Sequence, residues 1–229
     1  VLGWVTEAFE KGLISEADLG TTVAFGAVDG YRTVLRNLVK QPNQFYRDLA
    51  RGLAYATKIY GGADFAAVLG GNEMPGYHTG YGSVVGLTVA TRHSHLDNAG
   101  YSYDQSHAGP VDIEKLTDYL IEEEQIRCAL NSLVICLFAR KVYDLETTAR
   151  ALDAAGIPMT VEDLQALGRK IFALKLQIRS SMGFDLKQMT IPNRFFETPT
   201  LNGKLDRATT DRIMARYLEK IEQLVASEN

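Results

Sequence analysis

The chain shows helical periodicity on both sides of one glycine-rich, histidine-bearing stretch, and this pattern restricts its possible folds more than any other feature. Between Gly70 and Gly109 fall eight of the 20 glycines and all four histidines, His78, His93, His95 and His107. On either side, apolar residues recur every three to four positions, and a capping residue stands ahead of most runs. Ser15-Glu16-Ala17-Asp18 has the form of a capping box, after a first helix that stops at Gly12. A helix opening at Asp29 carries Tyr31, Val34, Leu35, Leu38 and Val39 on one face until Gln41-Pro42 ends it, and Asn43 caps another that runs to Gly61-Gly62. Asp112 caps a helix from Ile113 to Glu124, and the apolar run from Cys128 to Phe138 continues from it or begins just beyond. Asp144 and Thr160 open helices closing near Gly156 and Gly183, and a last helix starts near Arg207. Residues 63–69 read as a strand, 83–91 as a short apolar helix, and 184–205, with Pro192, Pro199 and Asn202-Gly203, as an extended connection. The pattern predicts an all-α, multihelical chain with at most one or two short strands.

The composition, 46% apolar and 23% charged over 229 residues, is that of a globular protein with a sizeable core. No apolar run approaches the roughly 20 residues of a spanning helix, so no membrane partner is expected. A net charge of -4 supplies no basic field for a phosphate backbone, which argues against nucleic acid. Cys128 and Cys136, read as lying on one helix, would stand about 12 Å apart and could not pair. Reduced thiols and the lack of a leader-like pattern at the start predict a cytoplasmic protein. The residues from Val1 to Lys11 are already in helical register with no cap ahead of them, as expected at the edge of a fragment or at a processed end.

Glycines allow a backbone to approach a ligand closely, and imidazole exchanges protons near neutral pH, so 70–109 is the first candidate for chemistry. The alternative is an ordered surface loop with solvated histidines. Within it, His93-Ser94-His95-Leu96-Asp97 has the H-x-H-x-D spacing of zinc-dependent hydrolases of the metallo-β-lactamase type, although Asn98 stands where a further histidine is usual. Cys136, inside Leu133-Val134-Ile135-Cys136-Leu137-Phe138, reads from its neighbours as a core cysteine. Two cysteines and no C-x-x-C cannot hold a four-thiolate cluster unaided.

Taken in order, several segments resemble the helical C-terminal region of the tungsten-dependent aldehyde:ferredoxin oxidoreductase family. They are Phe9-Glu10-Lys11-Gly12-Leu13-Ile14-Ser15-Glu16-Ala17-Asp18, Phe25-Gly26, Tyr46-Arg47-Asp48-Leu49-Ala50-Arg51-Gly52, Glu73-Met74-Pro75-Gly76-Tyr77 and Gly86-Leu87-Thr88-Val89-Ala90-Thr91. Farther on come the pair His95-Leu96, Asn131 through Cys136, Gly168-Arg169-Lys170-Ile171 and Ile191-Pro192-Asn193-Arg194-Phe195. The resemblance assigns 1–69 to the C-terminal part of helical domain 2, and 70–229 to helical domain 3 with an active-site stretch at 70–109. It implies that a histidine near the metal, His95 or else His93, moves the substrate proton. It places Thr91, Arg92 and Asn131 beside the pterin, and it makes Cys136 one thiolate ligand of a 4Fe-4S cluster. Asn131 stands where the family carries an aspartate, and Val134 where it carries a glycine.

The activity so implied is oxidation of a small aldehyde with water to a carboxylic acid at a tungsten or molybdenum bis-molybdopterin (tungstopterin) centre, with electrons leaving through the 4Fe-4S cluster to ferredoxin. The implied partners are an N-terminal pterin-binding domain, ferredoxin and the aldehyde, and a homodimer is compatible with the chain. The C-x-x-C-x-x-x-C segment that supplies three cluster ligands in the family does not occur here, so the chain alone is expected to hold no cofactor and to be inactive. A non-catalytic structural remnant is the competing expectation beside the zinc hydrolase.

Overall fold

The computed structural model describes residues 1–139 and 142–228 and is all-α apart from one two-stranded hairpin. Contacts divide the chain into two units, 1–76 with 190–198, and 77–189 with 199–229. No helix among the described residues is long and apolar enough to cross a membrane.

In the first unit, α1 (Leu2–Glu10), α2 (Glu16–Leu19), α3 (Val28–Lys40), α4 (Gln44–Leu49) and α5 (Leu53–Tyr60) enclose a core that includes Trp4, Leu19, Val34, Phe45, Tyr46 and Leu53. The Ser15 box forms: Ser15 Oγ accepts the Asp18 N–H, and Asp18 Oδ2 accepts the Ser15 N–H at 2.8 Å. Residues 43–61 form two helices rather than the expected one, because Gly52, at φ +95, turns the chain. The Glu73 carboxylate caps the second of these by accepting the Leu53 N–H at 2.8 Å. The expected strand at 63–69 shrinks to β1 (Val68–Leu69), preceded by a 3-10 turn at Ala63–Phe65. It pairs antiparallel with β2 (Asn72–Glu73), Leu69 opposite Asn72. The joining Gly70 and Gly71 both have positive φ, which a two-residue hairpin turn of this kind demands.

In the second unit, α6 (Tyr81–Val89) is buried along nearly its whole length and crosses α7 (Gly100–Ser106) so closely that a Cβ on Gly100 would overlap the Gly82 carbonyl. Asp104 of α7 satisfies the start of α6, accepting the Gly82 and Ser83 N–H groups at 2.8 Å each and the Thr79 hydroxyl. The rest is α8 (Ile113–Ser132), α9 (Leu145–Ala154), α10 (Val161–Ser181) and α12 (Arg207–Ser227), capped by Asp112, Asp144, Thr160 and Asp206. The one-turn α11 (Arg194–Glu197) belongs to the first unit, where Arg194 pairs with Glu7 of α1. The core here joins Val85 and Val89 of α6, Leu116 and Leu120 of α8, Phe172 of α10, and Ile213 and Tyr217 of α12.

The expectation for 113–138 needs correction. α8 ends at Ser132, where the Ile135 N–H reaches the Leu130 carbonyl at 3.1 Å and the Val134 N–H reaches that of Asn131 at 3.0 Å. These bonds form a Schellman stop with Val134 in its left-handed position at φ +59. Cys128 and Cys136 therefore do not share a helix. Cys128 is buried and Cys136 is exposed, contrary to the core position suggested by its apolar neighbours. The segment 184–205 is likewise not wholly extended, since it holds a 3-10 turn at Leu186–Gln188 besides α11.

Candidate functional site

The segment 90–99 leaves the end of α6 and enters α7, and each anchor that holds it is charged or polar. Thr91 gives its N–H and its hydroxyl to Glu124 Oε1, at 3.0 and 2.6 Å. Arg92 folds back on Asp97, giving its N–H to Oδ2 at 2.8 Å and its Nε to Oδ1 at 2.8 Å, which closes the loop across itself. The carbonyl of His95 accepts from Arg127 Nη1 at 2.7 Å, and Asn98 Nδ2 bonds the Gly86 carbonyl at 2.9 Å.

Besides the Gly86 carbonyl of α6, the outside groups that hold the loop come from two helices. Glu124, Arg127 and Cys128 lie at i, i+3 and i+4 on α8, and Lys175 and Arg179 at i, i+4 on α10, so each set faces one way. Glu124 is fully buried and Asp97 is 1% exposed. Lys175 Nζ lies 3.5 Å from Asp97, 3.6 Å from Glu124 and 3.6 Å from Cys128 Sγ, bridging two buried carboxylates and a thiol. Burial, with the Asp97 charge beside it, raises the Glu124 carboxyl above its ordinary range, and Lys175 and Thr91 only partly oppose this. Burial pushes the Cys128 thiol up to about 11, so it stays protonated and unreactive at neutral pH.

The two candidate histidines have opposite surroundings. His93, 5% exposed at φ +52, contacts the Leu87 carbonyl through Nδ1 at 3.2 Å and Arg179 Nη2 through Nε2 at 2.9 Å. A guanidinium can only donate, so Nε2 must accept and the ring proton sits on Nδ1. Burial, with Arg179 adding to it, lowers the pKa of this imidazole, which stays neutral with both nitrogens engaged. His95 is half-buried, its ring tilted against Tyr77 at 5.4 Å, and it lines a small crevice with Tyr77, Ser83, Leu87, Asn98 and Tyr101.

The other predicted residues are placed as follows. Thr91 and Arg92 spend their donors on Glu124 and Asp97 and brace the loop from within. Asn131 is exposed on α8, one turn beyond Arg127. Cys136 is exposed just past the Schellman stop, in a groove with Ile135, Tyr143 and Leu152. The zinc reading is corrected by this geometry. Both nitrogens of His93 are occupied, Asp97 is taken by Arg92 and Lys175, and no cluster of three or more potential ligands forms among the described residues. Sequence reasoning missed Glu124, Arg127, Lys175 and Arg179. The detectable signal was charge at helix positions in phase with apolar ones, as in Phe172-Ala173-Leu174-Lys175-Leu176-Gln177-Ile178-Arg179.

The residues fit the implied groups only in part. One exposed thiol, with Cys128 walled in, offers a single ligand to a 4Fe-4S cluster, and Asn131 offers an accessible amide to a pterin. The sequence model of a family described as aldehyde ferredoxin oxidoreductase, domains 2 & 3, matches residues 1–222. No curated protein matches the chain.

Proposed function

The chain belongs to the aldehyde ferredoxin oxidoreductase family, as its domains 2 and 3, and from that premise we propose that it is the helical part of an enzyme that oxidises a small aldehyde to the carboxylic acid. The observation that carries this reading is the match over 222 of 229 residues, supported by the hold of α8 on the histidine loop through Glu124 and Arg127. A tungsten or molybdenum bis-molybdopterin, when bound, would supply the two-electron chemistry, and a 4Fe-4S cluster would carry the electrons on to ferredoxin.

Within that reading the chain's own residues have distinct tasks. His95 is the imidazole that moves the substrate proton, because His93 is held neutral with both nitrogens engaged. Arg127 positions it through its carbonyl, and the Arg92–Asp97 closure fixes the loop. Asn131 gives a hydrogen bond to the pterin and Cys136 gives one thiolate to the cluster. The remaining thiolates and the pterin-binding surface come from another domain.

Two measurements test this. The isolated chain, reconstituted with iron, sulfide and tungstate, reduces viologen in an aldehyde-independent manner or not at all; aldehyde-dependent reduction would overturn the division of labour. In protein carrying the chain together with a pterin-binding domain, His95→Ala lowers kcat about 100-fold or more, the scale of a lost general acid-base group, while His93→Gln lowers it far less. The reverse ranking assigns the role to His93.

A further inference from the structure

A cleft of about 770 Å³ in the second unit opens between α10, the turn at Leu186–Gln188 and α12, and shares no lining residue with the crevice beside His95. Its walls are aliphatic, with Val89, Leu176, Leu186, Leu218, Ile221 and Val225 among the lining residues. Into this apolar space comes one cation without a counter-ion. Arg179 donates to His93 and lies over the Phe184 ring at 3.5 Å, but no carboxylate among the described residues pairs with it, and its Nε is buried without a hydrogen-bond partner. The carboxylate whose charge Arg179 feels, Asp97, is already shared by Arg92 and Lys175, and Asp185 of the cleft accepts the Lys187 N–H and the Gln188 amide. At the rim, Lys187 and Glu222 neutralise one another at 2.8 Å.

We infer that this cleft binds an amphipathic monocarboxylate, its head on Arg179 and its alkyl tail along the aliphatic wall. A guanidinium matches a planar carboxylate best, because the carboxylate can accept two N–H groups at once. The wall carries Leu, Ile and Val, and its single ring, Phe184, is already covered by Arg179, so a saturated chain of about ten carbons suits the volume and lining better than an aromatic acid. The head and tail contacts do not depend on the redox reading: of the residues to which the family resemblance gave a role, only Thr91 lines the cleft, and His93 touches Arg179.

Calorimetric titration of the purified chain with sodium decanoate, below its micelle concentration, is compared with 1-decanol, which has the same tail without the charge. Decanoate binds the wild type about 10- to 100-fold more tightly, the range for a charge-assisted hydrogen bond made in a sheltered site. Arg179→Gln retains an amide donor for His93 and reduces decanoate to the affinity of decanol. Leu218→Trp fills the cleft, leaves Arg179 in place and abolishes binding of both. The His93 imidazole resonances move on adding decanoate to the wild type and not to Leu218→Trp. Equal affinity for the two ligands, no binding of either, or decanoate binding that survives Leu218→Trp would overturn the inference. Should Arg179→Gln lose its helical circular dichroism, the Leu218→Trp arm decides alone.

Discussion

Val134 holds a backbone conformation that normally belongs to glycine. At φ +59 its Cβ crowds the following carbonyl, a cost of about 1–2 kcal/mol, and its side chain is 90% exposed, so no packing offsets that cost. The stop of α8 is thus imposed by the bonds of Val134 and Ile135 back to Asn131 and Leu130. Val134→Gly relieves the strain but adds freedom to the unfolded chain, for a net gain of about 0.5–1 kcal/mol in urea unfolding. A loss of stability would show that the bulky residue makes contacts in solution that outweigh the strain. Glu124 gives a pH signature of its own. Its folded-state pKa is raised, so the native state binds a proton that the unfolded state releases. Stability from this site is full below the ordinary carboxyl range and is lost as pH rises through the raised value. Glu124→Gln keeps an acceptor for Thr91 and flattens the fall of Tm as pH rises above the ordinary carboxyl range; an unchanged slope would place the titration elsewhere.

Among the elements, helix existence was legible and helix meeting points were not. Asp112, Asp144 and Thr160 marked their helix starts because a short side chain that accepts a backbone N–H is a local device, readable from a few residues. The break at Gly52 and the stop at Ser132 were not legible. Each depends on a contact from afar or on a backbone twist forced on a residue that resists it. Close crossings belong to this level as well. A Cβ on Gly168 would run into the Gln125 carbonyl of α8, so α8 and α10 approach as they do only because position 168 is bare. Gly168→Ala, which raises helix propensity, is nevertheless expected to destabilise by about 1–3 kcal/mol through forced separation of the two helices. Thermal unfolding checks this, and a gain in Tm would mean that the helices slide apart freely. The site loop shares this dependence, because Lys175 and Arg179 reach Asp97 and His93 only where α10 lies this close to α8.

Across the whole molecule, the chain visits its first unit twice. Ile191 and Phe195, buried at 7% and 3%, lie more than a hundred residues after the rest of that unit, and Arg194 pairs there with Glu7. Phe195→Ala should therefore cost about 3–5 kcal/mol and weaken the packing of 1–76. Hydrogen exchange resolves this: amides of α1 and α3 lose protection while those of α8 keep theirs. Equal loss in both would show that the chain unfolds as one cooperative body.

The sequence by itself determined that the chain is helical, where its caps lie, which stretch carries the histidines, and the family, because apolar period, capping chemistry and motif order are local properties of a string. Only the tertiary structure decided that His93 is locked by Arg179 while His95 stays accessible, that Cys136 is exposed and Cys128 enclosed, and that Asp97 and Glu124 share Lys175. These outcomes depend on pairs separated by 30 to 90 positions, such as Thr91 with Glu124 and His93 with Arg179, brought together by the packing of α8 and α10. A charge is recognisable in a sequence, but its partner, and hence its protonation and reach, depends on where the helices meet.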